Sequence, residues 1–374
     1  MHHMPDDFYM HEAISSSRIG PFSCELFVGR RRVQSAAPII QALRRSHGQT
    51  SDMTTDPSWL LDRAVVWRNS PLAVVLEQDG QPAAAVLLYG RRQFGLPTGV
   101  IKGGNQAGDG VVVAAARQRV AAVEAAATAV LRLPWVHTVM ASVRGAGTTP
   151  TFTPEAAHIG CGWLGREVST DLSLEGGFEG FLSRLRPRSR RNYYYFRRRA
   201  ERELGLSFVP ELQPDDAIEA VEELHGAAMY PVPRGRSRRW EAAIRQVPGS
   251  FAMGVRDPSG RWMSYLSGWR QKEGTYVEWQ LNRHEMAAAS LSTVMRTYFL
   301  EHEAARGVKR IVFVGGTSDA LGRYCAPDGC LDLLATRTGV RGWLGQKLML
   351  RMRPQGQVAT LVRNAALVPA TDPA

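Results

Sequence analysis

Ala73-Val74-Val75-Leu76-Glu77-Gln78-Asp79-Gly80-Gln81-Pro82-Ala83-Ala84-Ala85-Val86-Leu87-Leu88-Tyr89 reads as a strand, a polar turn at Asp79-Gly80, and a second strand. The run from Ala252 through Asp257-Pro258-Ser259-Gly260 to Trp269 repeats that hairpin about 180 residues later. Two helical stretches precede each hairpin, at 33–46 and 57–68 in the first half and 214–229 and 236–246 in the second. A further strand follows each (95–101; 274–281), then a long helix (110–131; 287–306) and a buried strand (135–142; 309–314). An α/β (α+β) architecture with a mixed central sheet flanked by helices, present twice, is the reading of this order.

At 374 residues the chain exceeds the usual limit of one hydrophobic core, so two domains are expected. The predicted organisation is a flexible N-terminus (1–20), a first domain (21–170), a second domain (171–351) opened by a basic helix (184–204), and a tail (352–374). With 44% hydrophobic and 22% charged residues the composition is globular. Cys24, Cys161, Cys325 and Cys330 lack zinc-finger spacing with histidine, so no metal is expected, and they read as free thiols of a reducing compartment. There is no apolar run of about 18 residues. The first residues are polar, without a signal-peptide core. A cytoplasmic location follows, with peripheral contact to an anionic membrane left open.

Between the two halves lies the segment Arg184 to Arg202, in which nine residues are arginine and one is acidic. It carries +8 of the formal +11. On a helix, Pro187 suits the first turn, Ser189 is a candidate cap, and Gly205 sits at the end. Phe196, Ala200 and Leu204 share a face able to dock on a core. Arg191, Tyr195, Arg198 and Arg202 form one outward stripe, and Arg190, Tyr194 and Arg197 a second. A charge run is commonly a solvated face. Here aromatic residues interrupt the charge, and guanidinium groups in this density suit a phosphate-bearing partner.

The order of elements resembles the Gcn5-related N-acetyltransferase (GNAT) fold in tandem. The linking sequence Phe181-Leu182-Ser183-Arg184-Leu185-Arg186-Pro187-Arg188-Ser189-Arg190-Arg191-Asn192 resembles the basic helix opening of BioF2-like/CelD-type acetyltransferases, a family related to the Fem peptidoglycan-bridge aminoacyltransferases. The likeness spans roughly residues 55 to 350 and includes Ile311-Val312-Phe313-Val314-Gly315-Gly316. It implies an N-acyltransferase acting on a small-molecule amine, with acyl-CoA as donor or, alternatively, aminoacyl-tRNA held by the basic helix. The turn that would receive the CoA pyrophosphate corresponds to Leu281 and Ala288, Ala289 and Ser290. It lacks the glycine common in relatives, and Arg323-Tyr324 stands where relatives often carry Tyr-Lys. A protein that has lost its chemistry and only binds anions is the non-enzymatic alternative.

Acyl transfer to an amine needs a base, an oxyanion donor and a proton for the leaving group. Alternation along 275–281 puts Tyr276, Glu278 and Gln280 on one face and Val277, Trp279 and Leu281 on the other. Glu278, a carboxylate midway along an apolar strand, is the candidate base, or else pairs with an arginine of the linking helix. Tyr324, beside Arg323, is the candidate acid. Cys325 has no histidine near it in sequence, and His284 reads as an exposed loop residue. Arg238, in the cluster Arg234 to Trp240, is expected to border the acceptor site. The glycine-rich run 99–110 has the composition of a phosphate cradle but matches no fingerprint and reads first as a connector.

Overall fold

The computed structural model describes residues 17–50, 52–67, 69–93, 96–103, 111–144, 159–228, 234–314, 317 and 319–338, with isolated positions at 340, 343, 347 and 362. The Gly104–Gly110 part of the glycine-rich run, Gly315-Gly316 and Pro231–Pro233 lie outside them, as do the N-terminal 16 residues and most of the tail. The chain forms two compact units, residues 1–168 with 329–374, and residues 169–328.

The first unit contains β1 (Ser17–Ile19), β2 (Phe22–Val28), α1 (Arg30–Ser46), α2 (Pro57–Trp67), β3 (Ser70–Gln78), β4 (Gln81–Gln93), β5 (Leu96–Gly103), β6 (Val112–Val113), α3 (Arg119–Leu131) and β7 (Thr138–Arg144). Strand β8 (Ile159–Ser173) leads into the second unit. There follow α4 (Gly177–Arg184), α5 (Pro187–Arg202), β9 (Ser207–Val209), α6 (Pro214–Leu224), α7 (Arg234–Arg245), β10 (Ser250–Arg256), β11 (Trp262–Gln271), β12 (Gly274–Asn282), α8 (Leu291–Ala305), β13 (Arg310–Phe313) and α9 (Asp319–Gly322). The last strand, β14 (Ala326–Arg337), returns to the first unit.

In the first unit β1 to β5 form an antiparallel series, β7 lies parallel to β5, and β14 pairs antiparallel with β7 from Cys330 to Thr336. The Asp79-Gly80 turn joins β3 to β4 with both residues at positive φ (53° and 74°), as a two-residue hairpin loop requires. Period-two alternation then sorts the faces. Leu72, Val74 and Leu76 meet the alanine-rich helix α3, whereas Ala73 and Val75 meet α1 and α2. The helix predicted over 110–131 starts only at Arg119, because β-branched Val112 and Val113 pair with β4 instead.

In the second unit β9, β10, β11 and β12 are antiparallel, β13 is parallel to β12, and Asp171 to Ser173 of β8 pair antiparallel with β13. Phe251, Met253 and Leu266 face α4, α5 and α8. Ala252, Trp262 and Tyr265 face α6. Phe251, Met253 and Leu266, fully removed from water, contribute about 1.5–3 kcal/mol each. The mixed α/β class and the repeated hairpin-strand-helix-strand order read from the sequence are therefore present in both units. Elements not foreseen are β1, β2, β6, β8, β9, β14, α4 and α9.

Candidate active site

Strand β12 carries a bulge. Its register to β11 passes from Ser267↔Trp279 to Gly268↔Val277, which makes Glu278 the inserted residue. An inserted residue shifts the alternation by one, so the two parts of β12 face differently. Val277 joins the core beneath α8, while Trp279 and Leu281 pack with Tyr265 on the α6 side. Strict alternation had grouped these three, and had grouped Tyr276 with Gln280; the bulge overturns both. Tyr276 is buried and stacks on Trp269 with centroids 5.8 Å apart, so its ring is core. Gln280 instead reaches the first turn of α8, donating to the Ser292 carbonyl at 3.4 Å and to Asn282 Oδ1 at 3.0 Å. Opposite the bulge only glycine fits: a Cβ on Gly268 would collide with the Tyr276 carbonyl.

The bulge also marks the end of a ladder. Strands β12 and β13 pair through Val277↔Phe313, and the Val314 N–H donates to the Val277 carbonyl at 2.9 Å. Beyond that point β12 continues to Asn282 with no further pairing to β13 among the described residues. The described pairing of the two parallel strands thus ends at the bulge, toward their carboxyl ends, which is where open α/β sheets take ligands. The chain then makes a 3-10 turn at His284–Ala289 and enters α8 through Ser290. Ser290 has a left-handed backbone (φ 50°), and its side chain makes no capping hydrogen bond. A helix N-terminus, favourable to anions, therefore follows β12 after one turn. Leu281 and Ala289 are buried, so their backbone is what they can offer a ligand; the Ala288 side chain lies outside the described residues.

Beneath the bulge sits a residue the sequence reading missed. Glu241 of α7 is fully buried. Its carboxylate meets Arg245 Nε at 2.8 Å, and accepts from Ser267 Oγ at 3.0 Å and Trp279 Nε1 at 3.2 Å. Burial pushes its carboxyl above the usual range, opposed by Arg245. It ties both strands at the register jump. The only signal in sequence was a single acid four residues before an arginine in an otherwise basic helix. A second buried carboxylate, Glu303 of α8, accepts from Arg270 Nη2 at 2.8 Å and Thr275 Oγ1 at 2.5 Å, clamping that helix to β11 and β12.

Tyr324 is tied to the arginine helix. Its hydroxyl lies 3.3 Å from Ser189 Oγ and accepts from the Arg186 N–H at 3.4 Å. The Ser189 hydrogen bond holds the phenol below its ordinary pKa, helped by the Arg186 N–H and by the charges of Arg323 and Arg186. Arg186, not Ser189, is the N-cap of α5, because the helix starts at Pro187 and Ser189 lies inside its first turn. Cys325 is buried, its thiol pushed up to about 11 mainly by burial, which suits packing and not nucleophilic attack. His284 has an exposed side chain, and its N–H donates to the Ala227 carbonyl. Glu278 is half-buried.

The faces of α5 divide as its spacing dictates. Ala200 is buried, with Phe196 and Leu204 packed on the same core. Arg191, Tyr195, Arg198 and Arg202 are exposed, and Arg188 extends the stripe by one turn. Arg190 is exposed but engaged within the unit. It donates to the Leu182 and Ser183 carbonyls at 2.9 and 3.0 Å and so caps α4. Arg197 is engaged by Glu201 and Glu301. Arg238 is exposed but pairs with Glu222 at 3.3 Å, as Arg234 does at 3.0 Å.

No family model and no curated protein sequence matches this chain. Among solved structures it is similar to FemX, with a TM-score of 0.52 and 11% identity over 85% of this chain and 98% of that one. It also matches L-PGS from Bacillus licheniformis (TM-score 0.48, 8% identity, 87% and 96% covered). A tandem GNAT protein from the clavulanic acid biosynthesis pathway matches as well (0.48, 13%, 85% and 99%). The FemX likeness shows a shared fold, a GNAT/Fem-like one.

Proposed function

We propose that the second unit transfers an acyl group from an acyl-CoA to the amine of a small acceptor. The observation carrying this reading is the Glu278 bulge, at which the described pairing of β12 with β13 ends, in the strand that leads to the N-terminus of α8. A donor arm containing amides can pair along a strand edge. The turn at Ser290 would hold its phosphates, with a left-handed backbone supplying the conformation that glycine supplies in relatives. Bound there, the thioester supplies an activated carbonyl. Glu278 accepts the proton that the acceptor ammonium must lose, directly or through water. Tyr324, more acidic than an ordinary phenol, gives a proton to the departing sulfur, and Arg323 favours the phenolate left behind. Release of free thiol from an acyl-CoA by the purified protein, dependent on an added amine and inhibited by desulfo-CoA, tests this. Absence of both CoA binding and thiol release across an amine panel would sink it.

A second reading, in which the donor is an aminoacyl-tRNA, is favoured by the exposed stripe Arg191, Tyr195, Arg198 and Arg202. Activity abolished by ribonuclease would replace the first reading with this one. The narrower kinship to BioF2-like/CelD-type enzymes rests on the linking motif alone. A cytoplasmic site of action is part of this reading, motivated by four buried cysteines outside any disulfide among the described residues.

A further inference from the structure

We propose that the first unit holds a small oxyanion, a carboxylate or phosphate ester on a compact apolar body. The site is a cavity of about 190 Å³ between the loop after α1, strand β6, the end of β7 and the start of α3. This site is independent of the reaction assigned to the second unit, and the two readings fail separately.

The walls are built before any ligand arrives. Gln49 locks the α1 loop to the β6 segment through both ends of its amide, donating to the Val112 carbonyl and accepting from the Ala114 N–H, each at 3.0 Å. Arg44, buried behind that loop, donates to the Thr50 and Asp52 carbonyls at 3.0 and 2.9 Å. Asp52 lines the cavity, but its carboxylate is committed to the turn that follows, accepting from the Thr54 N–H at 3.0 Å and the Thr54 hydroxyl at 2.5 Å. Val112 and Val143 form an apolar side.

Two guanidinium groups, Arg119 and Arg144, complete the lining. Arg119 is the first residue of α3. Its Nη1 donates to the Arg144 carbonyl at 3.1 Å, which fixes the side chain in place. Its Nε is buried and has no hydrogen-bond partner among the described residues. A buried N–H without an acceptor is costly, and a planar fork of donors is met best by carboxylate or phosphate. The volume exceeds the roughly 150 Å³ cavity that takes up benzene. It suits a ligand of that order and is too small for an entire coenzyme A.

The test uses the full chain and calorimetry with benzoate, phenyl phosphate and the neutral benzamide. Saturable binding of at least one anion, with benzamide at least tenfold weaker, is expected. Arg119→Gln should weaken the anion at least tenfold, and Val143→Met, which fills the opposite wall, should weaken it without touching the charge. Glutamine at Arg191, Arg198 and Arg202 should leave it unchanged, which separates the cavity from the stripe on α5. Benzoate alone binding marks an organic acid as ligand, and phenyl phosphate alone a phosphate ester. The proposal is overturned by equal affinity for benzamide, by affinity unchanged in Arg119→Gln, by binding that survives both variants, or by no saturation up to about 10 mM.

Discussion

Glu124 offers a perturbation whose size can be worked out beforehand. It lies on α3 in the first unit, where burial pushes its carboxyl from 4.5 up to about 7, opposed by a hydrogen bond from Trp163 Nε1 at 3.3 Å. Between those two values the native state keeps a proton that the unfolded chain has released. Stability from this group is therefore greatest at acid pH, falls as pH rises through 7, and is flat above it. At 1.36 kcal/mol per pH unit the ceiling is about 3.4 kcal/mol. The group is half-buried, and solvent screening reduces that to about 1–2 kcal/mol. Glu124→Gln keeps an acceptor for the indole and removes the titration. At pH 8 it should be more stable than the parent by that amount, raising the melting temperature of the first unit by roughly 2–8 °C. At pH 5 the difference should have shrunk to about half of that or less. Melting curves from pH 5 to 8, with the Trp163 indole signal assigned by Trp163→Phe, measure both. Parallel curves for parent and variant across this range would refute the assignment of a raised pKa to Glu124.

Replacing Arg191, Arg198 and Arg202 by glutamine should lower the salt slope of RNA or polyanion binding by about 2–3, with melting unchanged, since these side chains are exposed; Arg190→Gln should instead lower the melting temperature, because it uncaps α4. Glu278→Gln should cut turnover about 10²-fold near neutral pH, with the loss shrinking at alkaline pH where the acceptor amine is already deprotonated; a pH-independent loss would remove Glu278 from proton transfer. Gly268→Ala places a methyl against the Tyr276 carbonyl and should cost more than about 3 kcal/mol by chemical denaturation. Glu241→Ala leaves Arg245 without its carboxylate and should cost about 3–5 kcal/mol, with Trp279 fluorescence reporting the loosened bulge.

The sequence by itself determined what depends on neighbours along the chain. Asp79-Gly80 and Asp257 with Gly260 carry their turn geometry in their own backbone preferences and side-chain hydrogen bonds, so both hairpins were legible. The docking face of α5, with Phe196, Ala200 and Leu204, was legible because helical spacing is fixed. Tertiary structure decided everything that depends on a partner distant in sequence. Whether Glu278 alternates or bulges is set by its pairing with β11, where Gly268 alone leaves room. Arg190 became a cap because α4 presents carbonyls to it, while Arg191 beside it points outward. Glu241 acquired meaning only when Ser267 and Trp279 closed over it. Strand β14 completes the first sheet beside β7 across nearly two hundred residues. A local pattern fixes the conformation of a segment, but burial, register and hydrogen-bond partners are properties of pairs, and those pairs exist only once the chain has folded.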